Sequence, residues 1–595
     1  MIRKSKLPAW LCALVLSFLV ASLGVSPHIR FSVENGKMLY YKSAYDEEYY
    51  TSATPSSGRQ ASGYTIKAMA MAMGNDLPAA TIVADAVIPF MAALAAFFLA
   101  SGIVASIEGQ LLLSLFFLFG ESFINQGSMH FWPPEGTRIV EQLMQCSTVF
   151  SIHSTSFFSI YRTPEPQTSF IWCFLVLGCL VRLGKPAKGT RSLIALAGLN
   201  TLSPFFYMPC TLPTLMVQAL WCLLLFYKKQ TRYLTYRILA ALAFAAVAFL
   251  LLRLLSAPAE GASAQITFSS RLPLITLSVL LSLALTVLQG ARLLRSHGTA
   301  PAPLDLLCLT CCVMPMILLN QQLVTGRMVM VTPFEISINA ILLFLGAVLL
   351  ILQGMRSENS RPRRRFWLIQ GALVSCLLVI VWAQDRSYRM WHEYNQQVQA
   401  AVRAIDQTVP PGSGQKIWID SSDFALLMSI AFLRPQVQPV CLYSQLFGSG
   451  FLASIGTDGF VPPQDNVMAP FVFEHWLRNG ITPPAIEKIL YKQASDGAGL
   501  DINFFFSMLD SWKPFSMGRT VKRAEMQEWI PKIVEKYSTF CNECQQQIRT
   551  VLLLSPTELK DQTLPCLDVT FVSKTTVGEA SIFTYMQKPK LPSQQ

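Results

Sequence analysis

Residues 79–104 read AATIVADAVIPFMAALAAFFLASGIV, and their reading decides the fold. The stretch stays apolar for as long as a bilayer crossing needs, about 17–25 residues. It holds a single ionisable residue, Asp85, about two turns in from one end. A carboxylate at that depth is costly and faces a cavity or a partner rather than lipid.

Runs of the same kind recur along the first two thirds of the chain, at roughly 8–26, 106–124, 168–184, 192–207, 210–227, 236–256, 273–289, 304–320, 335–354 and 366–384. With the opening stretch they predict about eleven transmembrane helices. The whole composition agrees: the 595 residues are 52% hydrophobic and only 14% charged, with mean hydropathy +0.41. Soluble domains carry about a quarter charged residues.

The formal charge of +12 has the sign that nucleic acid attracts, but its placement argues against that partner. The basic residues cluster in short segments between apolar runs, where Lys and Arg mark cytoplasmic loops. Arg3, Lys4 and Lys6 set the N-terminus inside. Counting crossings then puts four basic loops inside, around Arg182–Arg191, Lys228–Arg237, Arg292–Arg295 and Arg356–Arg365. The turn near Ser106–Gly109 has no basic residue. The loops 27–78, 125–167, 257–272 and 321–334 fall outside, and so does everything after residue 384. The first run could also be a signal peptide, with a basic start and apolar stretch; weak small-x-small matches within Ser22–Ser26 favour an uncleaved anchor.

Two domains follow: residues 1–384 as a polytopic membrane domain with outer loop 27–78, and 385–595 as an extracytoplasmic α/β domain. In the latter, 416–420, 439–443, 550–554 and 568–572 read as buried strands, with a last strand at 581–585. Helical stretches are expected near 422–433, 484–495 and 520–537. Most cysteines lie in or beside apolar runs, where a thiol behaves as a small apolar group. Cys541-Asn542-Glu543-Cys544 has redox or half-zinc spacing, but no second pair or nearby His completes a tetrahedral set. A disulfide, local or to Cys566 or Cys441, is the expectation in an oxidising space. No Asn-x-Ser/Thr site occurs, which favours a bacterial envelope over a secretory-pathway membrane.

Chemistry, if any, belongs to the outer loops. Tyr45-Asp46-Glu47-Glu48-Tyr49-Tyr50 places three carboxylates among aromatic rings just after the first span. A carboxylate there can take a proton from a hydroxyl acceptor, and Asp46 with Glu48 could also ligate Mg2+ or Mn2+. The alternative is a solvated acidic loop with interfacial aromatics. Ser62–Met73, apolar and Met-rich but too short to span, reads as an interfacial helix that lines a lipid entrance or packs beneath the loop. Arg59, Arg162 and Arg327 are the outer guanidinia suited to phosphate oxygens, with surface or carboxylate-paired roles as the alternative. Asp85 is a candidate substrate-binding residue or a structural hydrogen-bonding group. Glu121, near a span end, can reach water. His130, His153, His392 and His475 show no ligand spacing.

The long first outer loop with its carboxylates, the many spans and the trailing extracytoplasmic α/β domain resemble GT-C membrane glycosyltransferases. The stretch Asn320–Pro333 (NQQLVTGRMVMVTP) is similar to a segment of bacterial multispan proteins of that broad type. Where that segment often continues with an aromatic-rich Gln-Pro-x-His pattern, this chain has Thr332-Pro333-Phe334-Glu335, and the Trp-Trp-Asp signature of oligosaccharyltransferases is absent from the outer domain. The resemblance implies a first-loop acid as general base or metal ligand, which falls on Asp46 with Glu47 or Glu48 as substitutes. It also implies a polyprenyl-phosphate or -diphosphate sugar donor, with an envelope glycan, lipid or protein as acceptor. A secondary transporter or flippase, or a non-catalytic scaffold, is the rival expectation; a transporter predicts repeated helix groups, and no repeat is visible.

Overall fold

The computed structural model describes residues 8–36, 61–120, 130–131, 158–161, 167–185, 189–227, 231–255, 267–269, 273–295, 301–325, 327–329, 338–355, 362–408, 416–420, 438–439, 482–495, 500–501, 520–521, 548–555, 569–577 and 580–587, with isolated positions at 334 and within 530–542. The chain divides into two compact units. The first comprises Met1–Thr51, Ser57–Ala259 and Ser269–Trp391; the second comprises Ser52–Ser56, Glu260–Phe268 and His392–Gln595.

The first unit is built from helices: α1 (Ala9–Asn35), α2 (Ala61–Ala72), α3 (Leu77–Ile103), α4 (Ile107–Phe119), α5 (Gln167–Leu183), α6 (Gly189–Leu202), α7 (Met208–Phe226), α8 (Arg232–Leu255), α9 (Leu277–Arg295), α10 (Pro303–Leu319), α11 (Ala340–Met355) and α12 (Pro362–Thr408). Six of them, α1, α3, α7, α8, α9 and α12, are long and apolar enough to cross a membrane; α4, α5, α10 and α11 are apolar but shorter.

Each element has a local cause. At the α2–α3 turn, Gly74 and Asn75 take left-handed φ of 71° and 66°, which a glycine and an asparagine tolerate. The turn ends where Asp76 caps α3 by accepting from the Ala79 amide at 2.9 Å. Ser106 caps α4 in the same way through Gly109. Helix α2 lays Ile66 and Ala70 on Ala80, Ala84 and Ile88 of α3, with Met69 and Ile171 at the edge. The short helix expected at 62–73 is therefore present, packed on a neighbour through its apolar face.

Side-chain contacts fix helix directions. Phe18 meets Phe90, and His28 meets Asp85, so α1 and α3 run antiparallel. The Arg182 guanidinium near the end of α5 reaches the Phe98 carbonyl and Ser101 near the end of α3, making those two parallel. Gln384 meets Leu23 and Tyr388 meets Glu34, so α12 runs parallel to α1. Arg292, Asp305 and Gln353 gather the end of α9, the start of α10 and the end of α11.

Two boundaries differ from the sequence reading. The helix begun by the first apolar run continues to Asn35, so residues 27–35 are helix rather than loop. The last one continues past residue 384 to Thr408. Hydropathy marks where apolar side chains stop. The backbone ladder goes on as long as the next residues favour it, and neither polar extension contains a proline after Pro27 to break it.

In the second unit a five-stranded mixed sheet forms in the order Val569–Val577, Ala580–Gln587, Ile548–Ser555, Lys416–Asp420, Gln438–Pro439. The first two form an antiparallel hairpin, and Ile548–Ser555 continues it antiparallel. Lys416–Asp420 lies parallel to both its neighbours. Helix α13 (Pro483–Ser495) covers the stretch expected to be helical there. Thr520–Val521 is a strand paired antiparallel with Leu500–Asp501, so the helix expected near 520–537 does not begin at 520. Residues 422–433 lie outside the described residues.

Candidate functional site

The most heavily built polar region among the described residues lies where α1, α3 and α12 meet, toward the C-terminal end of α1. Two prolines prepare it. Pro27 has no amide hydrogen, so the Leu23 carbonyl loses its helical partner. Ser26 Oγ donates to that oxygen at 2.9 Å, and Gln384 Nε2 of α12 donates to it at 3.1 Å. Pro89 in α3 likewise leaves the Asp85 carbonyl without its helical donor. That oxygen sits against Gly24, where an added Cβ would lie 2.4 Å from it and 3.2 Å from the Tyr161 ring. Glycine is required at position 24 for α1 and α3 to approach.

At this close crossing His28 Nε2 lies 2.7 Å from Asp85 Oδ2, and both side chains are buried. A buried carboxylate needs such a partner, since an uncompensated charge there costs several kcal/mol. Tyr161 closes the layer by donating from its hydroxyl to the Val20 carbonyl at 2.9 Å. Burial pushes the Tyr161 phenol well above its usual range, so it remains a neutral donor.

Beyond this layer the two helix extensions are laced together. Arg30 donates Nε to Glu34 at 3.0 Å and Nη1 to Asp385 at 2.8 Å, and its guanidinium lies 4.1 Å from the Tyr388 ring centroid. Tyr388 donates to the other Glu34 oxygen at 2.6 Å. Arg389 pairs with the second Asp385 oxygen at 2.8 Å. Tyr388 is buried, but Arg30, Glu34 and Asp385 are half exposed and Arg389 largely exposed, so the ion pairs define geometry more than they add stability.

The sequence candidates fall as follows. Asp85 is fully buried, with His28 Nε2 2.7 Å from its Oδ2. Arg327 opens the short strand Arg327–Val329, where only its backbone is described. Asp46, Glu47, Glu48, Arg59 and Arg162 lie outside the described residues, as does Glu121. Asn320, the first residue of the stretch that carried the family resemblance, has a structural task. Its side-chain amide accepts from the Leu274 amide at 2.7 Å and donates to the Leu274 carbonyl at 3.2 Å.

His28 escaped the sequence reading. The span drawn to residue 26 put it in a loop. The available signal was an apolar pattern resuming through Ile29 and Phe31. Among the described residues no group of three His, Cys, Asp or Glu side chains is placed to hold a metal. Cys541 is buried, while Cys544, Cys566 and Cys441 lie outside the described residues. The helix thiols Cys173, Cys308, Cys311 and Cys312 are buried, as their place in apolar runs predicted. Comparison with protein-family models finds none that matches the chain, and comparison with curated proteins finds no match either.

Proposed function

We propose that the chain is a polytopic membrane glycosyltransferase, moving a sugar from a polyprenyl-phosphate-type donor to an envelope glycan, lipid or protein at the outer face of a bacterial cytoplasmic membrane. One observation supports this reading above the others. The end of α1, from which the chain runs into the acidic segment at Asp46–Glu48, is held by α3 through His28–Asp85 and by α12 through Arg30–Asp385 and Glu34–Tyr388. A catalytic acid gains from a rigid base, because small displacements cost large factors in rate.

In this mechanism Asp46, or Glu47 or Glu48 in its place, takes the acceptor hydroxyl proton. The acceptor oxygen bonds to the anomeric carbon while the bond from that carbon to the phosphate oxygen breaks. Arg327, Arg162 and Arg59 receive the charge of the departing phosphate. Asp46 and Glu48 are hard oxygen donors of the kind Mg2+ or Mn2+ takes. The relative directions of α1, α3, α5 and α12 accord with eleven crossings, and the basic loops put the N-terminus inside and residues 385–595 outside as an extracytoplasmic α/β domain. The test is Asp46→Asn, Glu47→Gln and Glu48→Gln, singly, scored for a lipid-linked or envelope glycan. Loss in at least one, at unchanged membrane level, is expected; full activity in all three sinks the mechanism.

The buried His28–Asp85 pair favours one second reading, a proton-coupled transporter, because intramembrane acid–imidazole pairs serve as proton relays. That reading expects solute flux in proteoliposomes driven by a pH gradient, abolished by Asp85→Asn and untouched by changes at Asp46–Glu48.

A further inference from the structure

Helix α9 is divided lengthwise. Leu281, Leu283, Val287, Leu288 and Leu294 are exposed on one side, while Ser278, Ser282 and Gln289 are buried on the other, with Thr286 in the same row. Residues three or four apart share a helix face, so these four form one polar stripe. It lies against α10, to which Ser282 and Gln289 both donate.

The two halves of this stripe are satisfied differently. In the first, Ser282 Oγ donates directly to the Cys312 carbonyl, helix to helix. In the second, the bonds stop short. Gln289 donates Nε2 to the Asp305 carbonyl at 3.0 Å, and Gln353 of α11 accepts from Arg292 Nη1 through Oε1. Arg292 Nη2 lies 3.7 Å from Asp305 Oδ1, while Asp305 Oδ2 accepts from the Ala302 amide at 2.9 Å. Three buried polar atoms are left without a partner among the described residues: Gln289 Oε1, Gln353 Nε2 and Thr286 Oγ1.

Neither carboxamide can turn over to cure this. A backbone carbonyl only accepts, so Asp305 must face Gln289 Nε2; a guanidinium only donates, so Arg292 must face Gln353 Oε1. The leftover atoms are therefore one acceptor, one donor and a hydroxyl that does both. Buried polar atoms in that condition are rare in folded proteins, and each calls for a partner. The mixture selects the partner. A cation would meet Arg292 and the amide hydrogens of Gln353, and an anion would meet Gln289 Oε1 and the Asp305 carboxylate. Water donates and accepts at once, and a buried water bridges about two to four such groups.

We propose that the seam of α9, α10 and α11 is a binding site for ordered water, held by Gln289 Oε1, Gln353 Nε2 and Thr286 Oγ1 and entered beside the part-exposed Arg292. The seam is then dry at Ser282 and wet from Thr286 to the end of α9. The site is independent of the transferase reading.

Two measurements on the full chain test it. A crystal structure at a resolution that shows ordered water should place density at about 2.7–3.2 Å from Gln289 Oε1 and from Gln353 Nε2. Absence of such density overturns the proposal, as does a direct bond between the two amides or density that anomalous scattering identifies as an ion. Thr286→Val keeps the shape of the side chain and removes the hydroxyl alone. A hydroxyl held by water loses a bond when it is replaced, whereas a dry one sheds an unmet group. The unfolding constant in detergent should therefore rise about threefold or more in Thr286→Val. An unchanged or lower constant overturns the site at Thr286.

Discussion

Position 28 shows how much one side chain can decide. Removing the imidazole by His28→Ala takes the Nε2 partner from the buried Asp85 carboxylate, and should cost about 3 kcal/mol in unfolding measured in detergent. Asp85→Asn keeps a hydrogen-bonding group opposite His28 and should cost about 1 kcal/mol. Gly24→Ala drives a methyl into the Asp85 carbonyl and the Tyr161 ring and should cost about 2 kcal/mol. Gly371→Ala on α12 meets nothing within 4 Å, so its effect should stay within about 0.5 kcal/mol. Tyr161 gives a pH signature. Its hydroxyl is held neutral in the fold above the ordinary value of 10.0, so its stabilisation is complete below pH 10 and declines as pH rises beyond. Stability followed from pH 8 to 11 should fall less steeply in Tyr161→Phe than in the wild type.

At the scale of the element, the proline in α1 creates an acceptor that a different helix uses. Gln384→Ala removes the amide that serves the Leu23 carbonyl and should cost about 0.6 kcal/mol, the average for such bonds between membrane helices. Pro27→Ala supplies a backbone donor to the same carbonyl, so the cost of Gln384→Ala should shrink in that background. A double-mutant cycle reads the coupling directly. This layer also shows what the sequence made legible. The apolar runs located the helices because a bilayer crossing demands many apolar residues in succession. Their ends were missed at 26 and 384 because polar residues such as Arg30, Glu34 and Asp385 extend a helix as readily as they end one. Asp85 was visible as an anomaly in an apolar run, but its partner was not, since the pairing depends on how α1 and α3 are placed in space. In the second unit, alternation and β-branching marked the strands near 550, 570 and 583. The pairing at Thr520–Val521 had too few residues to register.

For the whole molecule, the parallel course of α1 and α12 is the feature to test. Cysteines placed at Glu34 and Tyr388 should form a cross-link identifiable by peptide mass spectrometry, because those side chains touch in the fold. Cysteines at Glu34 and Trp367 should not, since the latter lies near the opposite end of α12. An antiparallel arrangement would reverse the two results. The same pairing has a consequence for biosynthesis. The residues that Arg30 and Glu34 need stand more than 350 positions later in the chain. At about 5–20 residues per second, α1 waits on the order of half a minute before α12 is made. Throughout that interval Arg30 and Glu34 have each other but not Asp385 and Tyr388, which only a chain translated past α12 can supply. The α1–α12 seam therefore marks that synthesis has passed α12, and a chain cut short before that helix keeps the flank of α1 uncovered.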